Sequence, residues 1–271
     1  MKKNLIILCL VFLTIALNAA TVDTLMVYSP SMKKDIKTCV ILPEGYTKNT
    51  KNYPVLYLLH GYSDKYSGWV INFPVTSLLA DQYNIIIVSP DGGFSSWYFD
   101  SPIDPSFRYE TFVSKELIER IDKDFNTLKS PKGRAVSGLS MGGHGAMYLA
   151  FRHQDVFGAA GSMSGGVDIR PFPKNWDIAK RLGSIDLNPD NWEKNSVINL
   201  VDLVKDSHLA IIFDCGVDDF FIEVNRQLHK KLVEMKIPHD YTERPGGHTR
   251  PYWDNSIRYH ALFFHQFFSR N

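Results

Sequence analysis

The sequence predicts an α/β fold, a mostly parallel central sheet flanked by helices with one irregular segment beside it. Two observations carry that expectation. Short apolar runs without alternation recur along the chain, as strands covered on both faces read. Between them, apolar residues fall at helical spacing.

Taken in order, residues 24–29 and 37–42 read as a polar-edged hairpin. Residues 53–59 hold the continuous run Val55-Leu56-Tyr57-Leu58-Leu59, and residues 84–89 hold Ile85-Ile86-Ile87-Val88. Residues 209–213 form another such run. In 111–125, Phe112, Leu117, Ile118, Ile121 and Phe125 share one side of a helix. Residues 142–152, 220–235 and 256–268 behave alike. The stretch 171–205 breaks the pattern. It is rich in Pro, Asn, Asp and Trp with weak periodicity, and reads as an inserted cap or loop region of the same domain.

The first twenty residues read differently. Lys2 and Lys3 precede an apolar run from Leu5 to Leu17 that closes on Ala19 and Ala20. A short positive end, an apolar stretch too short to span a bilayer comfortably and small residues at its close describe a secretory signal peptide. The expected organisation is a signal peptide over 1–20 and one domain over 21–271, exported to the periplasm or beyond and without membrane attachment after cleavage. Lys plus Arg number 30 against 29 Asp plus Glu, so no summed field points to nucleic acid or an anionic surface. Cys39 and Cys215 fall on separate predicted strands and read as packed thiols. No Cys-x-x-Cys pair or His cluster has metal-ligand spacing, so neither metal nor cofactor is expected.

The chemistry starts at Gly138-Leu139-Ser140-Met141-Gly142, a G-x-S-x-G pentapeptide between a strand-like 134–137 and a helix. A nucleophilic serine needs a sharp strand-to-helix turn that lifts its hydroxyl clear of the backbone, and the flanking glycines give that turn room. Late in the chain, Pro245-Gly246-Gly247-His248-Thr249 follows a predicted last strand, 240–244. A loop histidine between glycine and helix can reach the serine as its base. The other eight histidines lack that position. Between the two lies Asp214-Cys215-Gly216-Val217-Asp218-Asp219, where a carboxylate could orient the imidazole. Asp219 is preferred and Asp218 stays open, both lying in one turn. The order Ser, acid, His is that of the α/β-hydrolase fold. His60-Gly61-Tyr62 ends the first long core strand, where the N–H groups of Tyr62 and Met141 would form an oxyanion hole and His60 would fix the loop. Trp69, Trp97 and Tyr98 are candidates for the substrate-binding wall of the cleft.

Further stretches add to these: the run from Tyr53-Pro54 to His60-Gly61 with Trp69; Gly92-Gly93 through Ser96-Trp97-Tyr98 and Asp100-Ser101; and Tyr109-Glu110-Thr111-Phe112. Together they resemble the esterase D-like family, which holds S-formylglutathione hydrolases, feruloyl and acetyl xylan esterases, tributyrin-type esterases and mycolyltransferases. The resemblance runs from about Lys37 to Phe268. It implies Ser140 and His248 as serine and histidine, and Asp219, three residues after Gly216, as the acid. It further implies cofactor-free hydrolysis of short or aryl acyl esters. The cysteine-rich loop of the cytosolic glutathione-thioester hydrolases is missing, and residues 168–205 leave the acyl specificity open. The expected activity is an exported serine carboxylesterase acting on acetyl or feruloyl esters of carbohydrate. Two alternatives stand beside it, an acyltransferase of the same fold and a non-catalytic carbohydrate-binding protein.

Overall fold

A computed structural model describes residues 19–48 and 50–270. It contains one eight-stranded sheet in the order β1-β2-β4-β3-β5-β6-β7-β8. The strands are β1 (Thr21–Ser29), β2 (Lys34–Leu42), β3 (Val55–Leu59), β4 (Ile86–Pro90), β5 (Arg134–Gly138), β6 (Ala159–Met163), β7 (Ala210–Gly216) and β8 (Asp240–Arg244). β1 and β2 form the antiparallel hairpin, β2 joins β4 antiparallel, and β4 through β8 run parallel. This is the α/β-hydrolase fold. The expected signal peptide lies almost wholly on residues 1–18, outside the described ones. Among the described residues no helix is long and apolar enough to cross a membrane.

Why β3 reads as an unbroken apolar run is visible in its two faces. Val55, Tyr57 and Leu59 enter one core cluster with the helix Met141–Arg152, the segment Tyr109–Asp124 and the helix Ile222–Glu234. Leu56 and Leu58 enter the other, with Val75–Tyr83 and the last helix, Arg250–Arg270. Helices on both sides leave no polar face for the strand to show. The segment Tyr109–Asp124 widens into a π turn over Phe112–Glu116, where the Ser114 hydroxyl donates to the Glu110 carbonyl at 2.7 Å. The irregular insert folds as Ile178–Leu182, Pro189–Lys194 and a 3₁₀ turn, Val197–Val204. It packs Ile178, Trp192 and Val201 into the first cluster rather than making a core of its own.

β6 is the strand that periodicity does not reveal. Its residues Ala159 to Met163 are mostly small because close neighbours demand it. A Cβ on Gly161 would stand 2.6 Å from His260 Nδ1 and 2.7 Å from Ser137 Oγ. Cys39 and Cys215 are both buried free thiols.

The chain order reverses at β3: its next strand, β4, pairs on one side and the following one, β5, on the other. Loops leaving the carboxyl ends of β3 and β5 therefore diverge and open a crevice, the usual ligand position in open parallel sheets.

Candidate active site

Ser140 sits in that crevice, on the turn between β5 and the helix Met141–Arg152, with φ 56° and ψ −118°. Few L-residues tolerate this conformation, and it persists because the turn is over-determined. Ser140 N–H donates to Met163 O at 2.9 Å and Gly142 N–H to Leu139 O at 2.8 Å. Close approach enforces glycine here: a Cβ on Gly142 would lie 2.2 Å from Leu59 O.

Ser140 Oγ is 2.8 Å from His248 Nε2, and His248 Nδ1 is 2.8 Å from Asp219 Oδ2. A carboxylate only accepts, so Nδ1 carries the proton and Nε2 presents its lone pair to the serine hydroxyl. Asp219 Oδ1 accepts the Phe221 N–H at 2.9 Å, and the Asp219 side chain is fully buried. Asp218 is exposed in the same turn, and its side chain makes no hydrogen bond among the described residues. His248 stands in an aromatic surround, with the Phe220 ring centroid at 4.3 Å and Trp253 edge-on at 4.8 Å.

The loop after β3 brings Tyr62 to the same place. Neither the Tyr62 N–H nor the first-turn N–H of Met141 has an acceptor among the described residues. His60 fixes this loop. Its Nδ1–H donates to Gly61 O at 2.8 Å and its Nε2 accepts the Gly92 N–H at 2.7 Å. Burial lowers its pKa, which keeps the ring neutral as this pairing requires. Tyr98 Oη donates to His60 O at 3.1 Å, holding the loop from below.

The cleft beside these groups encloses about 310 Å³ and is walled by Tyr62, Trp176, Phe220 and Trp253, with Asp64 and Arg250 at its margin. A larger cavity of about 620 Å³ lies between β8 and the last helix and contains none of Ser140, Asp219 or His248. The three aromatic residues expected in the cleft require correction. Trp69, Trp97 and Tyr98 are each at most 1% exposed, and none lines the cleft. Trp69 packs on Phe73 with ring centroids 4.8 Å apart, and Trp97 donates from Nε1 to Trp176 O at 3.3 Å. Their area is spent on packing, one layer behind the walls. Phe220 and Trp253 could have been found by adjacency, being one residue after Asp219 and five after His248. Trp176, in the irregular insert, carries no such signal. Among the described residues no group of three or more His, Cys, Asp or Glu side chains could hold a metal ion.

One turn along the same helix, His144 is fully buried, with Nδ1 3.0 Å from Trp97 O and Nε2 2.8 Å from Asn195 O. The two carbonyls favour an imidazolium, but burial outweighs them and lowers the pKa to about 4. The folded protein therefore binds this proton less readily than the unfolded chain. Stability is intact above pH 6.5 and falls as pH drops toward 4, by about 3 kcal/mol from this group. Urea midpoints measured from pH 7 to 4.5 should show that decline, and His144→Gln should make it shallower, the buried His60 supplying part of the remainder. A wild-type profile level across this window would contradict the assignment.

Comparisons with known proteins bear on the family and the fold. The Esterase family matches residues 29–263. Esterase Rv1288 of Mycobacterium tuberculosis (strain ATCC 25618 / H37Rv) is 30% identical over 236 residues, covering 77% of this chain and 51% of that protein. The chain thus spans about half the length of the first mycobacterial relatives it matches. An acetyl esterase of Caldicellulosiruptor saccharolyticus is 28% identical over 250 residues, covering 85% of this chain and 92% of that one. A solved ferulic acid esterase superposes with a TM-score of 0.79 at 28% identity, over 92% of this chain and 99% of the other. With the fold, the elbow serine and these likenesses in place, the chain belongs to the esterase family of α/β-hydrolases.

Proposed function

We propose that this protein is an exported serine ester hydrolase that removes acetyl or feruloyl groups from carbohydrate. The observation that carries the reading is the continuous chain from Ser140 through His248 to Asp219, with contacts of 2.8 Å and 2.8 Å, opening into a cleft beside two unpaired N–H groups. In this reading His248 takes the Ser140 proton as the oxygen attacks the ester carbonyl. The N–H groups of Tyr62 and Met141 hold the oxyanion, and His248 then protonates the departing alcohol. Water, activated by the same imidazole, releases the acid. Asp219 orients the ring and stabilises the imidazolium as it forms.

The acyl preference follows from the cleft. At about 310 Å³ it is at the small end of ligand pockets, which span ~300–1,000 Å³. Its aromatic walls suit a flat ring or a sugar face. The acetyl and ferulic acid esterases among its relatives support the same two acyl groups. The test is hydrolysis of p-nitrophenyl acetate, butyrate and octanoate beside methyl ferulate, with fluorophosphonate labelling in parallel. Acetate and ferulate should be cleaved, with octanoate at least about tenfold slower in kcat/KM because its chain overfills the cleft. A folded protein that neither labels nor cleaves any of the four would refute the reading in favour of a binding protein. Export is tested separately, by whether the extracytoplasmic product begins near Thr21.

A further inference from the structure

A second hydrogen-bonded Ser–His–Asp chain lies behind the first. Ser137 Oγ is 3.0 Å from His260 Nδ1, and His260 Nε2 is 3.1 Å from Asp214 Oδ2. Ser137 and His260 are wholly buried, so this serine meets no ester, and the arrangement needs another explanation. Asp214 supplies it. Its Oδ2 also accepts from Arg244 Nη2 at 2.7 Å and its Oδ1 from the Ser256 hydroxyl at 2.9 Å, while Arg244 Nη2 reaches Ser256 Oγ at 2.8 Å.

The positions of these partners matter more than their number. Arg244 is the last residue of β8 and enters the loop that carries His248. Ser256 and His260 lie on the last helix, through which the chain leaves that loop. Asp214 belongs to β7, and five residues beyond it the same chain presents Asp219. A single buried carboxylate therefore grips both ends of the base loop from the strand that carries the acid. We propose that Asp214 is a positioning residue for the reaction, setting the distance of His248 from Asp219 and Ser140.

Physical chemistry gives the arrangement a purpose. Burial alone would raise the Asp214 carboxyl, but the hydrogen bond and charge of His260, the Arg244 guanidinium and Ser256 together hold it below its ordinary value. An ionised, fully satisfied carboxylate at 2% exposure is a stiff anchor, because losing any partner strands a buried polar group. Backbone bonds also join acid turn and base loop, Val217 N–H to Arg244 O and Asp218 N–H to Gly246 O, each at 3.0 Å. They fix the loop's start, and nothing in them fixes the outgoing helix. A misplacement of about 1 Å in such a site costs about a hundredfold in rate.

This inference rests on His248 being the base, so the experiment begins with that. Ser140→Ala must first abolish hydrolysis of p-nitrophenyl acetate by the full chain; wild-type rates there would sink the functional reading itself. In Asp214→Asn, kcat should then fall about 10- to 100-fold with KM within about twofold. The low-field proton resonance of His248 Nδ1–H should broaden or vanish. Should Asp214→Asn not fold, Ser256→Ala keeps the Arg244 ion pair and removes one strut. It should lower kcat about three- to tenfold with the same change in the resonance. A folded variant of either kind with wild-type kcat and an unaltered resonance would overturn the proposal and leave Asp214 as an anchor of the fold alone.

Discussion

Ser140→Ala should lower the rate of ester hydrolysis by about five to six orders of magnitude, down to what an oxyanion hole and binding alone provide. Asp219→Asn, in an otherwise native chain, should cost about four orders of magnitude, because an amide nitrogen can turn toward His248 Nδ1 and favour the wrong tautomer. The two losses should not add. Once the hydroxyl is gone, orienting the ring achieves nothing, so the double variant should match Ser140→Ala within about a factor of three. Asp218→Asn is the internal control: its side chain is exposed and unbonded, and its rate should stay near wild type. Steady-state kcat with p-nitrophenyl acetate checks all four. A deep loss in Asp218→Asn beside a mild one in Asp219→Asn would reverse the assignment, whatever the 2.8 Å contact suggests.

The other large effect is on the fold. Gly142→Ala places a methyl 2.2 Å from Leu59 O and 2.7 Å from His60 O. Both are backbone atoms. Leu59 ends β3 in the middle of the sheet, so neither can swing aside as a side chain would. The helix Met141–Arg152 must move off the strand, and the N–H of Met141 moves with it. Overpacking of this kind costs about 1–3 kcal/mol or more, and here the displaced atoms include an N–H of the proposed oxyanion hole. We expect the urea midpoint and kcat to fall together. Gly45→Ala gives the contrast. Gly45 has φ 71° and nothing within 4 Å of the added methyl, so the cost is conformational, about 1 kcal/mol, with kcat unchanged. Equal effects in the two variants would show that the crowding at Gly142 is relieved more cheaply than the geometry implies.

Sequence reading reached some of this and missed the rest for identifiable reasons. The candidates Ser140 and His248 stand out in the sequence because each sits in a local glycine pattern. β3 and β4 are legible because burial on both faces leaves an unbroken apolar run. β6 is not, because its side chains are set by what presses on them, His260 and Ser137 among others, and small residues carry no period. The preference for Asp219 over Asp218 rests on the resemblance, while its geometric reason takes three dimensions: neighbours in one turn point opposite ways, one into the candidate site and one to solvent. The cleft walls were misread for the same kind of reason. Trp69, Trp97 and Tyr98 lie near motif residues in the sequence, yet each is drawn into a core layer. Trp176 comes from an insert without periodicity and reaches the site only through the packing of that insert.

The spacing of the two proton-exchanging groups bears on how the protein is made. Ser140 and His248 are 108 residues apart, and they meet only when β8 has paired with β7 and the last helix has docked. Until then a growing chain holds the proposed nucleophile without its proposed base. Closing so distant a contact carries a loop-closure entropy that must be met before the contact forms. On the function proposed above, hydrolytic competence therefore waits for these C-terminal elements, and a chain that lacks them should be inert toward esters.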